Sequence, residues 1–362
     1  MANSKLILLC AGGTGGHLFP AEALADALGR RGAQIDLATD TRAAHFKFPA
    51  RAVHVIPSAT VRGRDPMSLA RTASLLALGT LKAWRLVARI RPAVVVGFGG
   101  YPTVPPLLAA SLRGVPTVLH EQNAVMGRAN RMLAARVTRI ATGFRTLTNV
   151  DARVAAKVAF TGNPVRPAVL AVADTPYVAP DGELRLLVFG GSQGAHVMAE
   201  IVPPAIARLS PETRARLRIV QQARTEDLEQ VKASYAGLDV QADCAPFFDD
   251  LPARMAAAHL VVSRSGASTV AELAAIGRPA IMVPLPHALD QDQFANAGLL
   301  AEAGGGIRLE QRDFTPDRLA AELDKLAADP AGLVRMAAAA KSAGTRDAAE
   351  RLADVVLQVA GV

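Results

Sequence analysis

The stretch that decides the fold is Leu6-Ile7-Leu8-Leu9-Cys10-Ala11-Gly12-Gly13-Thr14-Gly15-Gly16-His17, an apolar run followed by a glycine-rich turn. A second such stretch, Leu186-Leu187-Val188-Phe189-Gly190-Gly191-Ser192-Gln193-Gly194-Ala195, comes about 180 residues later. An alanine-rich segment of helical character follows each turn. A strand that turns through glycines into a helix brings backbone N–H groups and the positive end of the helix dipole close to a phosphate. The repeated pattern predicts two nucleotide-binding-type domains that face each other across a cleft.

Length and composition agree with two α/β domains. The chain has 362 residues, of which 51% are hydrophobic and only 4% aromatic, a balance that suits alanine-rich helices packed on buried parallel strands. Apolar runs alternate with helical stretches, which predicts βα units and doubly wound parallel sheets. The predicted strands are residues 5–11, 34–39, 94–98, 116–119 and 138–142, then 185–190, 217–221, 260–263, 279–283 and 306–309.

The formal net charge of +8 predicts an anionic partner. Nucleic acid is disfavoured, because the chain has no long Lys/Arg block, no aromatic-interleaved basic patch and no zinc-ligand spacing. A phosphorylated ligand and an anionic membrane surface suit the charge equally well. No apolar run reaches the roughly 18 residues that span a bilayer, and Cys10 and Cys244 stand alone, so we expect a cytoplasmic protein without disulfides.

The first glycine turn does not match the common nucleotide fingerprints. Leu18 stands where G-x-G-x-x-G requires its last glycine, which disfavours a dehydrogenase, and no Lys-Ser/Thr pair follows for a P-loop. Asp36 has the spacing of a ribose-binding acid but is embedded in the next predicted strand. His17 opens the following helix. It is either a surface helix cap or a base beside a phosphate-sized hollow, and the flanking glycines favour the base.

Polar side chains follow several other predicted strands. Gly97 to Pro102 and His120 to Asn123 come just after strands of the first half, where open α/β sheets bind ligands, and they suit a sugar-binding rim. In the second half, Ser263 to Glu272 combines small residues with an arginine that can hold a diphosphate. Asp290-Gln291-Asp292 matches a D-x-D metal motif by letter, although two acids at a helix start are more often caps.

The segment Met67 to Arg91 mixes apolar and basic residues. Two interpretations remain open: a core helix with a solvated charged face, or a patch that rests on anionic lipid near an acceptor site. Its apolar members are Leu69, Ala73, Leu76, Leu81, Trp84, Leu86, Val87 and Ile90, and its basic members and neighbours are Arg62, Arg64, Arg71, Lys82, Arg85, Arg89 and Arg91.

Taken in order, six motifs resemble those of the MurG family, the peptidoglycan glycosyltransferases that move N-acetylglucosamine from UDP-N-acetylglucosamine to undecaprenyl-diphospho-N-acetylmuramoyl-pentapeptide (lipid I). The resemblance covers nearly the whole chain. One departure is Asp290-Gln291-Asp292-Gln293, where the family often has Asp-His-Gln before its Asn-Ala pair. The motifs are Gly12 to His17, His120 to Asn123, Thr161 to Arg166, Gly190 to Ala195, Arg264 to Glu272 and Gln293 to Asn296.

The resemblance implies a GT-B fold of two Rossmann-like domains. Residues 1–163 would form the acceptor and membrane-associating domain, residues 164–343 the UDP-sugar domain, and a last helix at about 344–362 would cross back to the first domain. It further implies a peripheral enzyme on the cytoplasmic face of the cell membrane. Its partners would be UDP-N-acetylglucosamine, lipid I, the anionic inner leaflet and further proteins of cell-wall synthesis. No tightly bound cofactor and no metal are implied.

The same resemblance assigns residues to roles. Ser192, Arg166 and the helix start at Arg264 would meet the phosphates, Phe248 would offer its backbone to uracil, and Glu272 would bind ribose. Gly99, Gly100 and Tyr101 would lie on the acceptor side. The full set implied for the donor is Thr14, Gly15, Gly16, Asn123, Arg166, Ser192, Gln193, Gly194, Phe248, Arg264, Ser265, Gly266, Ala267, Ser268, Thr269, Val270, Ala271, Glu272 and Gln293.

The implied reaction is an inverting displacement in which the muramoyl 4-hydroxyl attacks the anomeric carbon while UDP leaves. It needs fixed donors on the diphosphate and a base near the hydroxyl. His17 is the first candidate for the base and Glu121 the second. Three alternatives remain beside it: a UDP-sugar epimerase of the same fold, a glycolipid glycosyltransferase with another acceptor, and a carbohydrate-binding protein without catalysis.

Overall fold

The computed structural model describes residues 5–13, 15–42, 47–59, 65–191, 194–286 and 291–361. The predicted site residues Thr14, Ser192 and Gln193, and Asp290 of the D-x-D motif, lie outside these ranges. The chain divides into two compact units. Unit 1 comprises Met1–Arg166 and Arg346–Val362, and unit 2 comprises Pro167–Thr345.

The described residues form two sheets, one in each unit. The strands of unit 1 are β1 (Leu6–Cys10), β2 (Gln34–Thr39), β3 (Ala52–Val55), β4 (Val94–Gly97), β5 (Thr117–Glu121), β6 (Arg139–Thr142) and β7 (Val158–Phe160). Those of unit 2 are β8 (Leu184–Phe189), β9 (Leu217–Gln222), β10 (Gln241–Ala245), β11 (Leu260–Ser263), β12 (Ala280–Met282) and β13 (Gly306–Arg308).

Helices connect these strands. The first five are α1 (Gly15–Arg30), α2 (Pro66–Ile90), α3 (Val104–Leu112), α4 (Arg128–Ala134) and α5 (Pro167–Val172). The next five are α6 (His196–Arg208), α7 (Pro211–Arg216), α8 (Leu228–Ala236), α9 (Leu251–Ala257) and α10 (Ala267–Ile276). The last four are α11 (Asp292–Ala303), α12 (Pro316–Ala327), α13 (Pro330–Ala343) and α14 (Ala348–Ala360).

The sheet of unit 1 is parallel, with the strand order β3-β2-β1-β4-β5-β6-β7. Strand β1 is buried on both faces, because Ile7 and Leu9 belong to one apolar cluster and Leu8 and Cys10 to another. The first cluster packs under α1 and α14, and the second packs under α2, α3 and α4. The strand order reverses between β1 and β4, which is where open α/β sheets bind their ligands.

Helix α14 belongs to unit 1, although it follows the whole of unit 2 in the sequence. Ala349, Leu352, Ala353 and Val356 on one face of α14 are buried in the same cluster as α1. Lys5 donates hydrogen bonds to the carbonyls of Ala360 (2.9 Å) and Gly361 (2.8 Å) at the end of α14. Arg31 binds Glu350 and Asp354 at 2.5 Å each.

The sheet of unit 2 is also parallel, with the order β10-β9-β8-β11-β12-β13 and its reversal between β8 and β11. Leu186 and Val188 of β8 lie in a large apolar cluster with residues of α6, α8 and α12. The predicted fold class, two doubly wound parallel-sheet domains, is confirmed.

The sequence pattern did not predict three of the strands, β3, β7 and β10. Each of them is the last strand at one edge of its sheet. An edge strand needs fewer apolar residues, and β10, with the sequence QADCA, is mostly exposed. Cys244 lies inside this edge strand. Both cysteines are free thiols.

Candidate active site

His17 is placed by the first glycine turn, at the third position of α1. Its ring is half-buried and has a hydrogen bond with the backbone of Gly12. Burial lowers the pKa of His17 below its ordinary value of 6.5; the bond to Gly12 and the charge of Asp40 oppose this shift, and the charge of Arg42 reinforces it. A neutral imidazole at pH 7 is the form that can accept a proton.

The second loop at this point of unit 1 follows β4, the other strand at the reversal. Gly99 and Gly100 have φ values of 82° and 72°, which favour glycine, and Tyr101 opens a short 3-10 turn. A Cβ built on Gly100 would lie 3.3 Å from Cε1 of His17, so the imidazole packs directly against this loop. The structure thus brings together His17 and the predicted acceptor residues Gly99 to Tyr101.

Glu121 is buried at the end of β5, and its carboxylate accepts hydrogen bonds from residues that follow this strand. Its Oε1 accepts hydrogen bonds from the backbone N–H (3.0 Å) and Nδ2 (3.3 Å) of Asn123. Its Oε2 accepts from the N–H of Gly127 (2.9 Å) and from Nδ2 of Asn130 (2.6 Å). Burial raises the pKa of Glu121, and these four donors oppose that shift. The geometry therefore favours Glu121 as a residue that holds Asn123 in place, rather than as the base that takes the proton of the attacking hydroxyl.

His120 and Asn163 connect the loops after β5 and β7, a link that the sequence did not indicate. Nε2 of His120 lies 3.2 Å from the carbonyl of Gly162, and Nδ2 of Asn163 donates to the carbonyl of Gln122 at 3.4 Å. Burial lowers the pKa of His120 to about 4, so its ring is neutral. The guanidinium of Arg166 lies 4.4 Å from the centre of the Phe19 ring, over the first turns of α1.

The glycine turn of unit 2 is too tight for any side chain at its first position. A Cβ on Gly190 would lie 2.2 Å from the backbone nitrogen of Ala195, and Gly194 has a φ of 69°. Gln222, at the end of β9, accepts a hydrogen bond from the N–H of Gly190 (3.2 Å) and donates one to the carbonyl of Pro246 (3.1 Å). It thereby joins the glycine turn to the loop of Phe248. Sequence reasoning missed Gln222, because its two partners are distant in sequence.

Helix α10 begins at the other strand of the unit 2 reversal, directly after β11. Its N-cap, Gly266, offers no side-chain cap to the first N–H groups of the helix. The hydroxyl oxygens of Ser263 and Ser268 are buried and find no hydrogen-bond partner within the described ranges. Glu272 lies further along the same helix, and its side chain is buried. Uncapped N–H groups at a helix start are a common place for an anion to bind.

The guanidinium of Arg264 binds protein groups, whereas the sequence suggested that it holds a diphosphate. Its Nη1 donates to the carbonyls of Val283 and Pro284, both at 3.1 Å, and its Nη2 donates to Oε1 of Gln311 at 2.6 Å. Burial lowers the pKa of this guanidinium. Arg264 thus supports the loop after β12, and its contact with a phosphate stays a prediction.

Ser265 and Gln293 are joined across the starts of α10 and α11. The hydroxyl of Ser265 donates to the carbonyl of Gln293 at 2.8 Å, and Oε1 of Gln293 accepts from the N–H of Leu285 at 3.1 Å. Phe248 is buried, with Arg254 stacked 4.2 Å above its ring. In the part of the chain that the structure describes, no group of three or more His, Cys, Asp or Glu residues could hold a metal ion.

Comparison with known proteins agrees with this geometry. Residues 7–142 match the glycosyltransferase family 28 N-terminal domain, and residues 185–352 match the C-terminal domain of that family. The chain therefore belongs to glycosyltransferase family 28. The predicted resemblance to the MurG family, the GT-B fold and the class of hexosyltransferase enzymes are confirmed.

Individual relatives carry more specific names than the family models do. The UDP-N-acetylglucosamine--N-acetylmuramyl-(pentapeptide) pyrophosphoryl-undecaprenol N-acetylglucosamine transferase of Rhodopseudomonas palustris (strain BisB18) is 60% identical over 99% of this chain and 97% of its own length. The crystal structure of Acinetobacter baumannii MurG is 29% identical, with a TM-score of 0.78 over 98% of this chain and 99% of that one. A UDP-GlcNAc 2-epimerase from Neisseria meningitidis shares the fold alone, at 14% identity and a TM-score of 0.68, over 98% of this chain and 100% of that one.

Proposed function

We propose that this chain transfers N-acetylglucosamine from UDP-N-acetylglucosamine to the 4-hydroxyl of the lipid-linked N-acetylmuramoyl-pentapeptide, with inversion at the anomeric carbon. The observation that carries the proposal is the 60% identity, over nearly the full length of both chains, to a relative named for this transfer. The product would be a building block of peptidoglycan, so the enzyme would serve cell shape and cell division.

The donor belongs, in this proposal, to unit 2. As UDP leaves, negative charge grows on its diphosphate, and fixed donors aimed at that charge lower the barrier. The uncapped N–H groups at the start of α10 and the buried hydroxyl of Ser268 supply such donors. The glycine turn before α6 supplies more, while Glu272 would meet the ribose and Gln293 the sugar. Donors of this kind require no metal, although a divalent cation could still assist.

The acceptor belongs to unit 1, where His17 would remove the proton of the attacking hydroxyl. Its neutral imidazole lies against Gly100, in the loop after β4 at the reversal of the sheet. Glu121 would act indirectly by fixing Asn123, since its oxygens already accept four hydrogen bonds. The same arrangement suits a base that works at neutral pH.

One assay separates this function from its alternatives. The protein is incubated with UDP-N-acetylglucosamine and a short-chain lipid I analogue. A lipid-linked disaccharide supports the proposal, free N-acetylmannosamine would indicate an epimerase, transfer only to another lipid would indicate a different glycosyltransferase, and no turnover would indicate a binding protein.

The glycine turn of unit 2 offers a test of where the donor binds. Gly190→Ala places a methyl group where only 2.2 Å separates it from the Ala195 nitrogen, so the turn must open and UDP binding should weaken at least about tenfold. Calorimetric titration with UDP measures this. Gly237→Ala is the matched control, because its new Cβ would make ordinary contacts at 3.5 Å and beyond. Equal affinity of both variants would remove the donor from this turn.

We also infer that unit 1 rests on the anionic inner surface of the cell membrane. Within the described residues, no helix is long and apolar enough to cross a bilayer. The α2 patch, defined as Leu78, Leu81, Trp84, Lys82 and Arg85, is exposed at the surface of unit 1. Leu78 and Leu81 are 59% and 47% exposed, whereas Ala83, Leu86 and Val87 of the same helix are buried in the core. Helix α2 therefore has a core face together with an exposed apolar and basic face.

Charging the apolar part of the α2 patch tests this placement. Leu78→Glu with Leu81→Glu should weaken binding to phosphatidylglycerol vesicles at least about tenfold, since each leucine contributes about 1.5 to 3 kcal/mol on full burial. Cosedimentation at fixed salt measures it. Val334→Glu, at an exposed valine of α13 in unit 2, is the control. Undiminished binding of the double variant would place the membrane contact elsewhere.

A further inference from the structure

An ion pair, Asp40 with Arg42, lies directly on the first glycine turn and is not part of the motifs that indicated the site. Asp40 follows β2, and its side chain is only 7% exposed. Its Oδ2 accepts hydrogen bonds from Nε (2.7 Å) and Nη2 (2.6 Å) of Arg42. Its Oδ1 lies 3.4 Å from the N–H of Gly13, which donates to it. One carboxylate thus binds the guanidinium and the turn at the same time.

The pair also fills the space around the two glycines. A Cβ on Gly12 would lie 3.2 Å from Oδ1 of Asp40, and a Cβ on Gly13 would lie 3.1 Å from Nη2 of Arg42. Gly13 has a φ of 85°, in the left-handed region that glycine adopts readily and that residues with a side chain rarely adopt. The carboxylate and the guanidinium are the groups that pack on this conformation from the side of β2.

His17 depends on the same turn. It has a hydrogen bond with the backbone of Gly12, and its ring touches the loop of Gly100 on the other side. A change in the conformation of Gly12 and Gly13 would therefore move the imidazole. A shift of about 1 Å in a reacting group can lower a rate about 100-fold.

We propose that Asp40 and Arg42 are a positioning pair for His17, which act by fixing the conformation of Gly12 and Gly13. The pair does not take the proton itself. This inference rests on the proposed function, because it concerns the residue to which that function assigns the base.

A second ion pair of the same kind provides a matched control. Asp36 lies within β2, the strand that Asp40 follows; its side chain is 1% exposed, and it binds Arg51, which is 51% exposed. The corresponding values for Asp40 and Arg42 are 7% and 52%. Arg51 and Asp36 make no contact with the glycine turn in the described hydrogen bonds, since the partners of Asp36 are Arg51 and His54. The two ion pairs are therefore similar in exposure, but only Asp40 and Arg42 contact the glycine turn.

The test compares Asp40→Asn and Arg42→Gln with Asp36→Asn and Arg51→Gln, in the full chain, by kcat, KM and thermal unfolding. In Asp40→Asn one oxygen becomes an N–H₂ group, so either the contact with Arg42 or that with Gly13 is lost. We expect Asp40→Asn and Arg42→Gln to lower kcat about 10- to 100-fold, with little change in the KM for UDP-N-acetylglucosamine. Asp36→Asn and Arg51→Gln should leave kcat of the folded enzyme unchanged.

The decisive measurement repeats Asp40→Asn and Arg42→Gln in a His17→Ala chain. Residues that act through His17 add no further loss of kcat once it is gone, whereas independent contributions multiply. An additional loss in that background would overturn the inference, as would a normal kcat for both single variants. Arg42→Gln keeps the test valid if Asp40→Asn does not fold, because Arg42 is half exposed.

The outcomes also separate this inference from the proposed function. If the unaltered chain makes no lipid-linked disaccharide, or if His17→Ala retains full turnover, the proposed function or its base is wrong and the positioning pair falls with it. If His17→Ala is slow but Asp40→Asn and Arg42→Gln are not, only the positioning pair is wrong.

Discussion

His17→Ala should lower kcat about 10²- to 10⁴-fold, the range that general base catalysis contributes, with little change in the KM for UDP-N-acetylglucosamine. The physical reason is that His17 lies in unit 1, at the reversal of the sheet, while the donor groups proposed at the glycine turn before α6 and on α10 and α11 belong to unit 2. Removing the imidazole leaves the donor groups unaltered but leaves the attacking hydroxyl without a base. Steady-state kinetics with both substrates varied measure the two effects separately.

The pH profile gives an independent check on the same residue. Burial lowers the pKa of His17, so the base stays unprotonated down to a pH below 6.5, and kcat should decline only as the pH falls through that lowered value. His17→Gln is the companion variant, because its amide can still bond to the backbone of Gly12 but cannot take up a proton. A glutamine variant with normal kcat would exclude His17 as the base.

Leu352→Ala should reduce the free energy of unfolding by about 2 to 5 kcal/mol, as expected for a leucine removed from a closed core. Leu352 belongs to α14 and is fully buried in the apolar cluster that α14 forms with α1 and the sheet of unit 1. The loss combines the apolar surface that is no longer buried with the cavity that remains. Denaturant unfolding followed by circular dichroism measures it.

Leu357→Ala on the same helix is the control for this loss. Leu357 is only partly buried at the border of the cluster, so the same truncation should cost clearly less. Equal losses for both variants would mean that α14 is not packed through the face of Leu352. Because α1 carries His17, we also expect Leu352→Ala to lose transferase activity at a lower temperature than the unaltered chain.

Most of the fold could be predicted from the sequence, since central parallel strands are buried on both faces and appear as uninterrupted apolar runs. Strands β1 and β8 are examples, with all residues but one buried in each. The edge strands β3, β7 and β10 could not, because one edge faces no neighbour and their sequences are short or mixed. Turn glycines and the ends of apolar runs therefore predicted where the carboxyl ends of the central strands lie. They did not predict the edge strands β3, β7 and β10.

The site was predictable where a backbone conformation demands a residue type. The turns at Gly13 and Gly190 need glycine, and their positions follow from that need. Side chains whose partners are distant along the chain could not be foreseen. Gln222 bonds to two separate loops, and Arg264 donates to carbonyls beyond β12, where the sequence suggested a phosphate. Only the folded chain reveals such pairings.

The placement of α14 has a consequence for the order in which the chain can fold during synthesis. Unit 1 needs Arg346–Val362 for its core, and these residues are translated after all of Pro167–Thr345. Unit 2 is thus the first to leave the ribosome with all its residues, although domains usually fold from the N-terminus onwards. Until α14 has been translated, the face of α1 that packs against it stays open to water.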